Sequence, residues 1–158
     1  MIYLNDMKKE VILISACLLG ENCKYDGTNN EIKKLKNLSK YYDLVLFCPE
    51  VSGGLKTPRY KSEIKDNKVI NEKNKDVTDF FQDGAYWAYV ICMKHKIKLA
   101  ILKEKSPSCG VNQIYDGSFS SKLIDGQGIT TKKLIDNGIK VINEEEGLLL
   151  LKELENNE

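Results

Sequence analysis

The amino-acid sequence predicts an α/β fold in which a mostly parallel sheet carries helices on both faces. Four short apolar runs lie at residues 11–14, 44–47, 99–102 and 139–142, the last interrupted by Lys140. Such runs are typical of strands that are buried on both sides. Helical patterns separate the runs, and this alternation indicates an α/β fold. The chain has 158 residues, so we expect a single domain over residues 1–158.

Apolar spacing predicts two helices in the first two-thirds of the chain. Between residues 32 and 38 apolar side chains recur every three residues. Over residues 77–95 the apolar side chains fall on one face of a long helix. Asp76 or Thr78 can cap the start of that helix, because short polar side chains accept hydrogen bonds from its free backbone amides.

Two shorter helices are predicted towards the end of the chain. Residues 130–137 have a helical pattern, and Gly138 is placed as the C-terminal stop. An amphipathic helix is expected around residues 148–154. Three glutamates at residues 144–146 precede it, where negative charge stabilises the N-terminal end of a helix.

The stretch from residue 51 to residue 76 is polar and rich in lysine and asparagine, and we expect an excursion from the sheet there. Residues 65–68 are typical of a small hairpin turn. The tripeptide Tyr-Asp-Gly occurs twice, at residues 25–27 and 115–117. Asp-Gly favours turns, so turn chemistry is the first interpretation and a site role is the alternative.

Composition excludes several classes of protein. The formal net charge is +1, whereas a nucleic-acid-binding domain usually has a basic excess. No apolar run reaches the roughly 18 residues of a membrane span, and residues 1–10 have no apolar segment of a signal peptide; a cytoplasmic location is expected. Arg59 and His95 are each the only residue of their type, which disfavours serine–histidine triads and multi-histidine metal sites.

The cysteines carry the most specific chemistry. There are five, an odd number, and in a reducing compartment this favours metal binding or catalysis over disulfides. Cys17 follows the first apolar run, Cys48 closes the second and Cys109 lies in the loop after the third. Ligands bind outside the carboxyl ends of the strands in an open α/β sheet, so we expect these three thiols to meet in one cleft.

Three thiols without a histidine suit a soft metal centre, of which an iron–sulfur cluster is one kind. A cluster held by three cysteines leaves one iron open to substrate, as a catalytic zinc site keeps one open position. The alternative is that the three cysteines are small buried apolar residues at strand ends, since free cysteine is among the most buried residue types.

Polar residues beside these cysteines are candidates for proton transfer. Glu50 lies two residues beyond Cys48, and Ser106 and Ser108 flank Pro107 just before Cys109. A glutamate in a partly dry cleft beside a metal can act as acid or base. The alternatives are a solvated loop carboxylate for Glu50 and turn or cap roles for the serines.

Four motifs in this order resemble a known family. They are SACLLGENCKYDG at residues 15–27, CPEVSGGLKTPR at 48–59, VTDFFQDGA at 77–85 and AILKEKSPSCGVNQIYDG at 100–117. Together they look like the domain-of-unknown-function family whose characterised member is a thiouracil desulfidase. The resemblance covers about residues 11–146, which we expect to form the core of the domain.

The resemblance implies a Rossmann-like domain with a [4Fe-4S] cluster bound by three cysteines and one iron left open. It assigns the ligands to Cys17, Cys48 and Cys109, and it implicates Glu50 and Ser106 in catalysis. The role of Cys23 stays open, because it is either an additional thiol near the cluster or the ligand in place of Cys17.

Three further residues have structural interpretations. Cys92 is expected in the core, on the apolar face of the long helix. His95 suits the last turn of that helix. Arg59 can hold an anion or the edge of a substrate, or can form a structural salt bridge.

The expected activity is a non-redox desulfidation of a thiolated pyrimidine such as 2-thiouracil, giving the oxo base and sulfide. The open iron would polarise the carbon–sulfur bond as a Lewis acid, Glu50 would deprotonate water, and Ser106 would orient the water or relay a proton. We expect an oxygen-sensitive monomer that acts on a small molecule, without a membrane or folded nucleic acid as partner. Alternatives are sulfur transfer on thiolated nucleosides, an iron–sulfur sensor or binding module without turnover, and a thiol redox protein.

Overall fold

The four predicted strands form one parallel sheet. The computed structural model describes residues 8–158. Within it the strands are β1 (Glu10–Ser15), β2 (Tyr42–Phe47), β5 (Leu99–Ile101) and β8 (Lys140–Ile142), in the order β2-β1-β5-β8. Ser15 pairs with Phe47, and Ile14 pairs with Ile101. The carboxyl ends of β1, β2 and β5 therefore lie side by side, and the predicted α/β fold is confirmed.

Helices cover both faces of the sheet, as predicted. The α-helices are α1 (Pro49–Ser52), α2 (Thr78–Lys94), α3 (Ile129–Asp136) and α4 (Glu144–Asn156). Side chains alternate between the faces of a strand, so one face buries Leu13 and Ala100 against α2 and α3. The other face buries Ile12, Ile14 and Ile101 against α4 and a 3₁₀ helix (Lys33–Lys40).

The helix between β1 and β2 is a 3₁₀ helix. Residues three apart eclipse one another in a 3₁₀ helix, and this geometry places both Leu35 and Leu38 in the core. A second 3₁₀ helix, Ala16–Leu19, follows β1 directly. The three-residue apolar spacing is compatible with this tighter helix.

The helix ends follow partly from the sequence. Asn143 and Glu146 form a reciprocal capping box at the start of α4, and Gly138 has a φ of +81° just beyond α3. Neither predicted cap occupies the N-cap of α2. Val77 stands there, and Asp76 accepts a hydrogen bond from the amide of Thr78 at 2.9 Å.

Two hairpins stand outside the main sheet. The predicted one pairs β3 (Ser62–Lys65) with β4 (Lys68–Asn71) through a turn at Asp66 and Asn67, both with positive φ. A second hairpin, β6 (Gln113–Tyr115) with β7 (Leu123–Asp125), was not predicted, because its strands are only three residues long and lack an apolar run. Among the helices within residues 8–158, none is long and apolar enough to cross a membrane.

Candidate active site

A cleft of about 500 Å³ opens at the carboxyl ends of β1, β2 and β5. All five residues to which the sequence analysis assigned a site role line it, namely Cys17, Cys48, Cys109, Glu50 and Ser106. Cys92 is instead fully buried in the core on α2, as predicted. The cleft thus lies where ligands bind in open α/β folds.

The three thiols reach the cleft from three different connections. Cys17 lies in the 3₁₀ helix after β1, Cys48 directly follows β2, and Cys109 follows β5 at the end of the loop that contains Ser106. Cys17 and Cys48 are partly exposed and Cys109 is buried. No three His, Cys, Asp or Glu side chains within residues 8–158 are grouped to hold a single metal ion.

Cys23 also lies in the cleft and contacts two of these thiols. Its thiol hydrogen-bonds to both Cys17 and Cys48, which lowers the pKa of Cys17 and lowers that of Cys48 to about 7. The same hydrogen bonds raise the pKa of Cys23 itself. Asn30 donates to the sulfur of Cys17 at 3.4 Å. These hydrogen bonds therefore favour the thiolate forms of Cys17 and Cys48 and disfavour that of Cys23.

Cys109 has a different environment. Burial raises the pKa of its thiol to about 12. The hydroxyl of Ser108 lies 3.6 Å from its sulfur, and the hydroxyl of Thr131 donates to its carbonyl oxygen at 2.9 Å. A thiol with this pKa is protonated at neutral pH on its own, whereas coordination to a metal removes the proton outright.

Glu50 is held by an ion pair and by a hydroxyl. Its Oε1 lies 3.0 Å from Nε of Arg59, and both side chains are largely buried, with 15% and 8% exposure. Arg59 also donates to the carbonyl oxygen of Cys23 at 2.8 Å. Oε2 of Glu50 accepts a hydrogen bond from the hydroxyl of Ser108 at 2.9 Å. Arg59 therefore forms the salt bridge that the sequence analysis allowed, and its partner is Glu50.

Ser108 links Ser106 to Glu50. The hydroxyl oxygen of Ser106 accepts from the amides of Ser108 and Cys109 at 3.1 and 3.0 Å, and it lies 2.9 Å from the hydroxyl of Ser108. Because Ser108 donates its proton to Glu50, Ser106 is the donor to Ser108. Two hydroxyls thus point one after the other towards the carboxylate, and Ser106 does not touch Glu50 itself.

Two close backbone approaches fix these elements in place. A Cβ at Gly84 would lie 2.0 Å from the carbonyl oxygen of Pro49, so only glycine lets α2 pack against α1, which carries Glu50. A Cβ at Gly128 would lie 2.4 Å from the carbonyl carbon of Ser108. The first amides of α3 consequently donate to the carbonyl oxygens of Pro107 and Ser108, both at 2.9 Å.

Glu104 connects the start of the loop after β5, which contains Ser106 and Cys109, to the end of that loop. Its Oε1 accepts from the amides of Val111, Asn112 and Gln113 at 2.7–3.1 Å, and its Oε2 accepts from the side chain of Asn143 at 2.9 Å. Burial alone would raise the pKa of Glu104, but these hydrogen bonds lower it to about 2. The loop with both serines and Cys109 is thereby closed by a charged residue that the sequence analysis did not select.

The two Tyr-Asp-Gly segments are turns, as first interpreted. Their glycines have φ values of +81° and +93°. Asp26 and Asp116 each accept a hydrogen bond from the amide two residues ahead. Both tyrosines, Tyr25 and Tyr115, line the cleft, so the turns also contribute to its walls.

A parallel sheet whose carboxyl edge carries thiols and an ion-paired carboxylate is typical of an α/β enzyme with a thiol-lined cleft. The chain belongs to the 2-thiouracil desulfurase family, whose model matches residues 12–146. The resemblance drawn from the four motifs is confirmed.

Two similar proteins illustrate the relationship. The uncharacterized protein YbbK of Bacillus subtilis (strain 168) is 36% identical over 146 residues, which are 86% of this chain and 97% of that protein. The solved structure of the [4Fe-4S]-dependent thiouracil desulfidase TudS is 42% identical, with a TM-score of 0.85 over 91% of this chain and 99% of that one.

The donor set of the cleft fits an iron–sulfur cluster. Thiolates are the soft ligands that iron–sulfur clusters require, and four thiols line the cleft. The only histidine, His95, stands at the far end of α2 and does not line it.

Proposed function

We propose that the protein is a [4Fe-4S]-dependent desulfidase that converts a thiolated pyrimidine such as 2-thiouracil into the oxo base. One water is consumed and hydrogen sulfide is released, so the reaction involves no change in oxidation state. The observation that carries the proposal is the meeting of Cys17, Cys48 and Cys109 with Glu50 in one cleft. The likeness to the desulfidase TudS over nearly the whole chain supports it.

Cys17, Cys48 and Cys109 are the residues we propose as ligands. They stand closest to the ends of three neighbouring strands, and Cys23 donates hydrogen bonds that favour the thiolate forms of two of them. When bound by three thiolates, the cluster supplies one open iron that is a Lewis acid with affinity for a soft sulfur atom.

Glu50 is the proposed general base. Its carboxylate takes a proton from the water that attacks the carbon of the C=S group, and general bases typically contribute ~10²–10⁴ in rate. Arg59 keeps the carboxylate oriented through its 3.0 Å contact. The Ser106–Ser108 pair continues from Glu50 towards the loop of Cys109, which gives the proton a path to the departing sulfur.

The decisive experiment uses protein purified without oxygen. Incubation with 2-thiouracil should release equal amounts of sulfide and uracil. Protein that carries iron and sulfide but releases no sulfide from thiolated bases would contradict the proposal and favour a sensor or binding module.

Two sets of variants test the residue assignments. Alanine at Cys17, Cys48 or Cys109 should abolish iron binding, whereas Cys92→Ala should retain it because Cys92 lies in the core. If Cys17→Ala retained iron and Cys23→Ala lost it, Cys23 would be the ligand in place of Cys17.

Glu50→Gln separates chemistry from assembly. The amide keeps the shape of the side chain but cannot accept the proton, so turnover should fall by roughly 10²–10⁴ while iron content stays that of the unmodified protein. Turnover near the original rate would make Glu50 an ordinary buried carboxylate. Loss of iron would give it a structural role.

The proposal extends to the setting of the enzyme. A single domain acts as a monomer on a small molecule in the reducing cytoplasm, with no folded nucleic acid as partner. The near-neutral charge and the five free cysteines support this assignment. Gel filtration at micromolar concentration tests the monomer, and competition by a thiolated RNA tests the substrate class.

A further inference from the structure

The loop between β6 and β7 holds an aromatic residue in a strained conformation. Phe119 has a φ of +57°, which lies in the left-handed region that bulky side chains rarely adopt. Such strain persists only where the surroundings fix it, and it clusters at functional sites. Phe119 lines the same cleft as Glu50 and the thiols.

A buried carboxylate fixes this conformation. Glu63 of β3 is only 9% exposed, and its Oε1 accepts the amide protons of Gly117 and Phe119 at 3.0 and 3.1 Å. A Cβ at Gly117 would lie 2.8 Å from the carbonyl oxygen of Ile64, so the loop is pressed against the β3–β4 hairpin. Glu63 thereby joins the β3–β4 hairpin to the β6–β7 loop at the residues that include Phe119.

Core packing does not account for the strain. Phe119 remains 36% exposed, and it belongs to none of the three hydrophobic clusters formed within residues 8–158. The buried side chain of Glu63 and the strained backbone of Phe119 together place an aromatic side chain in the wall of the cleft.

We infer that Phe119 is the stacking platform for the ring of the substrate, and that Glu63 is its positioning residue. This inference rests on the proposed function and names the feature that the site recognises, a planar thiolated heteroaromatic ring. Aromatic side chains offer a flat, polarised face to such rings, and stacking tolerates different ring substituents. Phe119 would thus select planar thiones over non-planar ones.

Substitutions at Phe119 separate stacking from simple apolar contact. In the iron-loaded enzyme, Phe119→Leu keeps apolar bulk but loses the ring, and its KM for 2-thiouracil should rise by about 5- to 150-fold, the range that one stacked base supplies. Phe119→Tyr keeps the ring and should stay within about threefold of the original KM. The control is Tyr86→Ala, an exposed aromatic residue on α2 outside the cleft.

Phe119→Gly separates function from folding. Glycine adopts positive φ without strain, so the unfolding temperature should stay constant or rise while KM rises as in Phe119→Leu. A lower unfolding temperature with an unchanged KM would make Phe119 a structural residue and overturn the inference.

Glu63 is tested by a conservative pair. Glu63→Gln retains the oxygen that accepts both amides and should keep KM within about threefold. Glu63→Ala frees the loop and should raise KM more than it lowers kcat. Equal effects of both variants on KM and kcat would overturn the positioning role.

Equilibrium dialysis with 2-thiouracil keeps this test distinct from that of the proposed function. If the unmodified protein releases no sulfide, the proposed function fails, but dialysis still reports whether the ring binds. Weaker binding by Phe119→Leu than by Phe119→Tyr would then support stacking. Equal binding by the two variants, or no binding by the unmodified protein, would refute it.

Discussion

Replacing Glu104 with glutamine should loosen the loop that carries Ser106 and Cys109. The carboxylate accepts three consecutive backbone amides and two side-chain amides. Glutamine has one acceptor oxygen, and its own amide group would face the donors of Asn112 and Asn143. The hydrogen bonds would no longer be assisted by a negative charge. The side-chain amides of Asn112 and Asn143 would face another donor and lose their acceptor.

The lowered pKa of Glu104 sets the magnitude. Its pKa falls from 4.5 to about 2, and each pKa unit corresponds to about 1.4 kcal/mol. The ionised Glu104 therefore contributes at most about 3 kcal/mol to the free energy of unfolding at pH 7. Solvent screening of this partly exposed side chain reduces the contribution to about 2 kcal/mol. Because the folded pKa is depressed, this contribution is present above pH 4.5 and is lost as the pH falls towards 2.

Urea unfolding followed by circular dichroism measures the effect on the metal-free chain, which avoids acid loss of a cluster. Glu104→Gln should lower the free energy of unfolding by about 2 kcal/mol at pH 7, and the difference should shrink by more than half at pH 3. The exposed Glu145→Gln serves as control. A difference that does not change between pH 7 and pH 3 would refute the charge-based reasoning.

Three further outcomes are expected. Ser108→Ala removes the donor to Glu50 and should lower kcat by roughly 10- to 100-fold at constant iron content; an unchanged kcat would contradict the hydroxyl chain. Gly84→Ala should cost about 1–3 kcal/mol of unfolding free energy and lower activity, whereas the exposed Asp83→Ala should do neither. Air should inactivate the loaded enzyme with loss of iron, because an open iron has no thiolate to protect it; activity that survives aeration at constant iron content would argue against an open iron.

The main sheet was predictable because its signal is local. Residues 11–14 and 44–47 are unbroken apolar runs, and each became a strand that is paired along its length. The β6–β7 hairpin was missed because Gln113–Tyr115 and Leu123–Asp125 carry no such run. Its position depends on the amides bound by Glu63, which lies 54 residues before Gly117 in the chain.

Only those site residues that directly follow a predicted strand could be placed from the sequence. Cys17, Cys48 and Cys109 follow three predicted strands, so their convergence follows from the topology of a parallel sheet. The contact of Ser108 with Glu50 joins residues 58 apart, and it depends on the absence of a side chain at Gly128. No local pattern encodes such a contact. Both serines were candidates from their position beside Cys109, and Ser106 was singled out only by the family resemblance.

Three other carboxylates are already occupied as hydrogen-bond acceptors. Asp26 and Asp116 accept the amide and hydroxyl protons of their own turns, and Glu63 accepts two loop amides. The carboxylate of Glu50 accepts no backbone amide within the described part of the chain; its partners are the side chains of Arg59 and Ser108. Side-chain partners can reorient when a carboxylate gains or loses a proton, whereas the backbone amides of a closed loop are fixed in place. Of these four carboxylates, Glu50 is therefore the one whose surroundings suit the proposed proton transfer.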